Sequence, residues 1–157
     1  MSDDVVTLQI AAPPQQLWEM VSDIRNIGRW SPETFHTRWL GGATQPVAGA
    51  RFRGWNKWRI FYWATNSVIE AADPGREFTF CTVVWGKKRT RWSYTFEPVS
   101  GGTRVTETRT ALSNTWFRKY FQALFMPGHR ESFKQGMATT LQRIKQAAEA
   151  VPTTGSA

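Results

Sequence analysis

The sequence predicts an α+β fold, a curved antiparallel sheet of about seven strands wrapped around one long C-terminal helix, with two short helices after the first strand. Three observations carry that expectation. Between about Thr34 and Leu112 apolar and polar residues alternate with a period of two, and Gly and Pro turns cut the stretch into strand-sized pieces. From about Gly128 to Glu149 the apolar residues recur at spacings of three and four, which places them on one face of a helix. The chain also holds nine Trp, more indole than a plain core requires, so part of that aromatic surface is expected to line a site.

Val6, Leu8 and Ile10 alternate with polar residues as a first strand, which Pro13-Pro14 stops while supplying the first turn of a helix. Leu17, Trp18 and Val21 give that helix its apolar face, and Ser22 or Asp23 ends it and caps a short second helical turn through Ile27. Trp30, Ser31 and Pro32 release the chain into a strand from about Phe35 to Leu40, and Gly41, Gly42, Pro46 and Gly49 mark the next turn. In the strand that follows, Phe52, Gly54, Asn56 and Trp58 share one face, while Arg51, Arg53, Trp55 and Lys57 share the other. The basic face belongs outside, so Asn56 points inward. The stretch from Ile60 to Glu70 is apolar on both faces, and its alternation leaves its orientation open.

Pro74-Gly75 turns the chain into a strand from Glu77 to Val84 that groups Phe78, Phe80, Thr82 and Val84. A further strand from Thr90 to Pro98 groups Trp92, Tyr94 and Phe96, and Gly101-Gly102 makes a hairpin into the last strand. There Arg104, Thr106, Thr108 and Thr110 form a polar outer face, which turns Thr103, Val105, Glu107, Arg109 and Ala111 inward. An inward Glu and Arg are costly unless partnered, so these two residues are the sharpest chemical anomaly of the chain.

Within the segment from Ser113 to Pro127, residues Trp116, Phe117, Tyr120, Phe121 and Leu124 repeat at helical spacing. This short amphipathic helix serves as a lid, as a membrane contact or as a connection packed on the core, and the residues leave all three open. The terminal helix buries Phe133, Met137, Leu141, Ile144 and Ala148 and leaves Arg130, Lys134, Arg143 and Lys145 toward water. At about 1.5 Å per residue it spans roughly 33 Å, enough to cross a curled sheet. Residues 1–150 are therefore expected as one domain, with 151–157 as a small, polar, flexible tail.

A chain of 157 residues suits one core, and 41% apolar with 20% charged residues describes an ordinary globular protein. The formal charge of +8 favours an anionic ligand, a membrane surface or nucleic acid through long-range attraction. Because the basic residues are spread over several elements, no nucleic-acid partner is expected. The start is acidic rather than basic, no apolar stretch approaches the roughly 20 residues of a membrane span, and the lone Cys81 has no disulfide partner. A cytoplasmic location is the expectation. His36 and His129 lie in different elements without a companion Cys, so both are expected as surface or capping residues and neither a metal nor a cofactor is expected. No HExxH, Walker A or GxSxG spacing occurs.

Several stretches together resemble a known family. They are Leu17-Trp18 with Val21-Ser22-Asp23, Arg29-Trp30-Ser31-Pro32-Glu33, and Gly49-Ala50-Arg51-Phe52-Arg53-Gly54 with Asn56. Pro74-Gly75-Arg76 with Phe78, the run from Trp92 to Pro98, and Gly102-Thr103 followed by Val105 and Glu107 complete the pattern. From about Asp3 to Ala150 the chain resembles the START-like, birch-pollen-allergen-like helix-grip superfamily (SRPBCC), in particular its polyketide cyclase/dehydrase branch. The resemblance implies a hydrophobic cavity between sheet and terminal helix. Members bind lipids, sterols, polyketides or plant hormones, and some cyclise or dehydrate polyketides. The branches share no single catalytic set, so no catalytic residue carries over.

The inward faces nominate Asn56, Trp58, Trp63, Phe78, Phe80, Trp92, Tyr94, Phe96, Glu107 and Arg109, with Phe133 and Met137 from the helix, as ligand-binding residues. Glu33 is a candidate for the mouth. Two functions stand against each other, with a membrane- or protein-interaction module as a third. One is a carrier or sensor of a lipid, isoprenoid or polyketide-like molecule, with peripheral membrane contact open and oligomeric state unspecified. The other is a polyketide cyclase or dehydratase in which Glu107 takes a proton while Arg109 or Tyr94 steadies the oxyanion. A purely structural Glu107–Arg109 pair is the bland alternative.

Overall fold

The computed structural model describes residues 3–113 and 116–150, so the tail expected from Val151 onward lies outside the described residues. The strands are β1 (Asp4–Ile10), β2 (Thr34–Leu40), β3 (Arg51–Trp58), β4 (Phe61–Asp73), β5 (Glu77–Val84), β6 (Lys87–Val99) and β7 (Gly102–Ala111). They form one antiparallel sheet in the order β1-β7-β6-β5-β4-β3-β2. Between β1 and β2, which occupy opposite edges, run α1 (Pro14–Ser22), a 3₁₀ turn (Ile24–Asn26) and α2 (Ile27–Trp30). After the sheet come α3 (Trp116–Phe125) and α4 (His129–Ala150). This is the expected helix-grip architecture.

Local chemistry sets the boundaries. Pro14 opens α1, and Asp23 caps the 3₁₀ turn by accepting the Arg25 amide at 3.1 Å. The Trp18 and Trp30 indoles donate to the carbonyls of Glu77 and Met20 at 2.8 and 3.1 Å, which ties both short helices to the rest. Two boundaries differ from expectation. Ile60 belongs with Arg59 to the two-residue loop between β3 and β4, and β6 begins at Lys87 rather than Thr90. Arg89 is bulged out there, and this breaks the alternation that would have extended the strand.

The strand whose orientation the alternation left open is resolved by its partners. In β4, Trp63, Thr65, Ser67 and Ile69 face inward, while Tyr62, Asn66 and Glu70 face out. Its inner face is half polar because it looks into a cavity, and this blurs the signal.

The helix α4 divides the interior. Leu141, Ile144 and Ala148 join Ile10, Leu17, Val21, Ile24, Ile69, Phe78, Phe96 and Val105 in one packed cluster. The preceding turns, from His129 to Thr140, stand over the other half of the sheet, where a cavity of about 690 Å³ remains.

The β6–β7 hairpin is the tightest point. Gly102 has φ +155°, and a Cβ there would lie 2.1 Å from the Ile10 carbonyl oxygen. Gly102→Ala is therefore expected to destabilise the fold by several kcal/mol in urea unfolding. Gly42→Ala meets open space at φ +78° and should cost only about 1–2 kcal/mol. Equal losses for the two variants would contradict this reading.

Candidate functional site

The cavity wall is aromatic. Trp58, Trp63, Phe80 and Trp92 come from the sheet and Phe133 from α4, with Met137 closing the inner end. Asn56, Tyr94 and Glu107 of the nominated residues also line it. Phe78 and Phe96 do not. They lie on the nominated strand faces but farther along, in the packed half beneath Leu141 and Ile144. Alternation assigns a face; it does not say how far along a strand packing gives way to space.

Arg109 is also outside the wall. Its guanidinium bonds Asp4, directly opposite on β1, with Nε at 2.8 Å from Oδ2, and it covers the Phe133 ring at 4.3 Å. The Glu107–Arg109 pair expected from their spacing is thus not formed, because Asp4 from the neighbouring strand is the nearer partner. An N-terminal acidic residue some hundred positions away gives no local signal of that pairing.

Glu107 takes Tyr94 as its partner instead. The two residues face each other across β6 and β7, and the phenol donates to Oε1 at 2.8 Å. Only 2% of Glu107 is exposed. Burial pushes its carboxyl up to about 8 despite the opposing effect of the Tyr94 bond, so it is uncharged at neutral pH. Burial, reinforced by Glu107 beside it, also holds the Tyr94 phenol well above its ordinary value. Glu107 Oε2 is the sole buried side-chain oxygen or nitrogen without a protein hydrogen-bond partner among the described residues.

A second polar group sits toward α3. His129, expected at the surface or as a cap, is the buried first residue of α4, enclosed by Trp58, Trp63 and Phe133 at ring distances of 4.9, 5.6 and 4.7 Å. Its Nδ1 lies 2.8 Å from the Gln122 amide nitrogen and its Nε2 lies 3.0 Å from Glu33 Oε2. With Gln122 donating to Nδ1, the ring proton rests on Nε2 and is donated to Glu33. Glu33 follows α2 and Gln122 belongs to α3, so three distant segments meet here and sequence spacing could not reveal them. His36 is exposed and packs against Trp55. Asn56 completes the polar set, accepting from Thr34 at 2.6 Å and donating to Thr65 at 3.1 Å.

Cys81 lies on the opposite side of the sheet, and burial pushes its thiol up to about 11 beside Glu70. It is a buried thiol of low reactivity. Among the described residues no group of three His, Cys, Asp or Glu side chains is placed to hold a metal ion.

The buried carboxyl has a stability consequence with a definite sign. Glu107 is uncharged in the folded chain up to about 8, whereas it ionises above 4.5 when unfolded. Its contribution is fully present below 4.5 and is lost as pH rises through about 8. Relative to Glu107→Gln, the native protein should lose on the order of a few kcal/mol across that window in thermal or urea unfolding. Parallel pH profiles for the two proteins would contradict the buried, uncharged carboxyl.

Solved structures share this fold. A Polyketide_cyc-like protein from Corynebacterium glutamicum is 29% identical, with a TM-score of 0.64 and coverage of 94% of this chain and 91% of that one. A protein from Mycobacterium smegmatis is 21% identical with a TM-score of 0.66, covering 94% of this chain and 91% of its own. The di-domain ARO/CYC protein BexL of the BE-7585A biosynthetic pathway is 18% identical with a TM-score of 0.68; 98% of this chain matches 48% of that one, and the likeness is one of fold. Comparison with curated proteins gives no significant match. The family described as polyketide cyclase / dehydrase and lipid transport matches residues 4–149. With that match running from the first strand to the last turn of α4, the chain belongs to the polyketide cyclase/dehydrase and lipid transport family.

Proposed function

We propose that this protein binds a hydrophobic small molecule, lipid, isoprenoid or polyketide-like, in the cavity between the sheet and α4, and acts as its carrier or sensor. The observation that supports this most is the cavity of about 690 Å³ under the first half of α4, walled by indole and phenyl rings. Its size falls within the roughly 300–1,000 Å³ of small-molecule sites. A carrier is favoured over a cyclase or dehydratase because Glu107 and Arg109, one of the two pairings that chemistry could use, do not stand together, and the Tyr94 phenol of the other is donated to Glu107 itself. Arg109 is engaged by Asp4, and the Glu107 carboxyl, raised by burial, is mostly uncharged at neutral pH.

Nile red, a neutral dye that brightens in apolar surroundings, tests the cavity. One dye per chain is expected, and Ser67→Phe, which fills space beside Phe52 and Phe80, should weaken uptake by at least about tenfold while the melting curve stays cooperative. No uptake, or equal uptake by a folded Ser67→Phe protein, would overturn the reading.

A second reading, contact with a membrane surface, is favoured by a specific feature at the open end. The β3–β4 and β5–β6 loops project from the same end of the antiparallel sheet, and their tips carry Ile60 and Trp85, which are 84% and 92% exposed. Trp85 holds φ 50° and Gly86 φ 72°, so a bulky side chain occupies a strained position where it packs on nothing in the fold. Tyr120, Phe121, Leu124 and Phe125 of α3 are also exposed, and Phe121 reaches the cavity mouth. Lys57, Arg59, Lys87 and Lys88 flank the two tips. Exposed apolar side chains ringed by cations suit an anionic lipid surface. No helix among the described residues is long and apolar enough to cross a membrane. Flotation at low salt should recover the protein with phosphatidylglycerol vesicles and less with phosphatidylcholine, and a Trp85→Ala, Ile60→Ser double variant should lose most of that binding. Absence from both vesicle fractions would remove this reading.

A further inference from the structure

Among the described residues one fully buried side-chain polar atom lacks a hydrogen-bond partner, and it belongs to a residue that lines the cavity. Asn56 bonds Thr34 and Thr65, and His129 bonds Glu33 and Gln122. Glu107 accepts the Tyr94 phenol at Oε1, which leaves Oε2 without a protein partner on the wall made by β6 and β7. Because Oε1 is taken as acceptor, the proton of an uncharged carboxyl rests on Oε2 and makes it a donor.

The charges around this point exclude an anion. Among the described lining residues Lys57 is the one Lys or Arg, and it stands at the β3–β4 end. Arg109, two residues along β7, is neutralised by Asp4 of β1, and the residues α4 adds to the lining include no Lys or Arg. A carboxylate brought against Glu107 would meet no cation. An uncharged acceptor would complete the one missing hydrogen bond, with aromatic rings left to cover its apolar flanks.

We infer that the ligand carries an uncharged hydrogen-bond acceptor, a ketone-type carbonyl oxygen set between apolar groups, which accepts from Glu107 Oε2, and that a carboxylate does not take that place. This rests on the cavity reading above and adds to it the chemistry at one atom.

Benzophenone and diphenylmethane test it, since they differ only in a carbonyl replacing a methylene; diphenylacetate supplies the anion. Each is titrated as a competitor of Nile red against the native protein, Glu107→Gln and Glu107→Leu. Glu107→Leu should weaken benzophenone on the order of tenfold while sparing diphenylmethane, which also certifies that the variant is folded. Glu107→Gln keeps a donor beside the Tyr94 bond and should retain benzophenone. In the native protein benzophenone affinity should fall as pH rises beyond about 8, where Glu107 ionises, and should stay level in Glu107→Gln. The other titratable groups of the cavity and its edge, Tyr94 bonded to Glu107, the Arg109–Asp4 pair, the His129–Glu33 pair and Lys57, are all left in place by the Gln variant.

Benzophenone binding that is insensitive to both variants and to pH, or diphenylacetate binding as tightly as benzophenone, would overturn the inference and leave the cavity reading intact. Failure of all three probes and of Nile red would instead overturn the cavity reading. If Glu107→Leu does not fold, the contrast in pH response between the native protein and Glu107→Gln decides the matter.

Discussion

Everything in this molecule depends on how the two halves of α4 are held, the second by a packed cluster and the first by His129 and Phe133 at the rim of a cavity. Leu141, Ile144 and Ala148 lock its second half into the cluster of Ile10, Leu17, Val21 and Val105, where apolar surface is removed from water on all sides. Helical continuity then carries the first half, from His129 to Met137, over a part of the sheet that no other element fills. The backbone hydrogen bonds of one helix, with His129 tied to Glu33 and Gln122 at its start, thus span the cavity, and the packed half provides the stability that the open half forgoes. The ion pair of Arg109 with Asp4 reinforces the junction from the edge strand, against the face of Phe133.

The open half is apolar but not featureless. Its polar groups include sets around Asn56, Glu107 and His129, and in the first and last of these the side chains bond one another. Such sets shape a wall without demanding anything of a ligand. Glu107 differs, because its Tyr94 bond uses one carboxyl oxygen only. Burial keeps the group uncharged, and the same burial makes its remaining hydrogen-bonding capacity valuable.

The fold was legible because alternation in β3, β5, β6 and β7 and the three-four spacing of α4 each express one face buried against one partner. The same logic located Trp58, Phe80, Trp92, Tyr94 and Glu107 on the wall. It failed where the answer depended on position along a strand, as for Phe78 and Phe96, or on a partner remote in sequence, as for Arg109 with Asp4. His129 escaped for the second reason. A lone histidine after Gly128 reads as a cap until Glu33 and Gln122 are brought to its two nitrogens. Polar Thr65 and Ser67 hid the orientation of β4 because a strand beside a cavity need not be apolar inside.

The most direct test is a native mass spectrum of the protein purified without detergent, repeated after incubation with a total lipid extract of its host. A preformed apolar cavity predicts one additional neutral mass per chain in at least the second spectrum, released on denaturation and identifiable after extraction. The bare chain mass in both spectra would contradict the central claim, since it would mean that the space beneath α4 holds no ligand from a pool rich in apolar molecules.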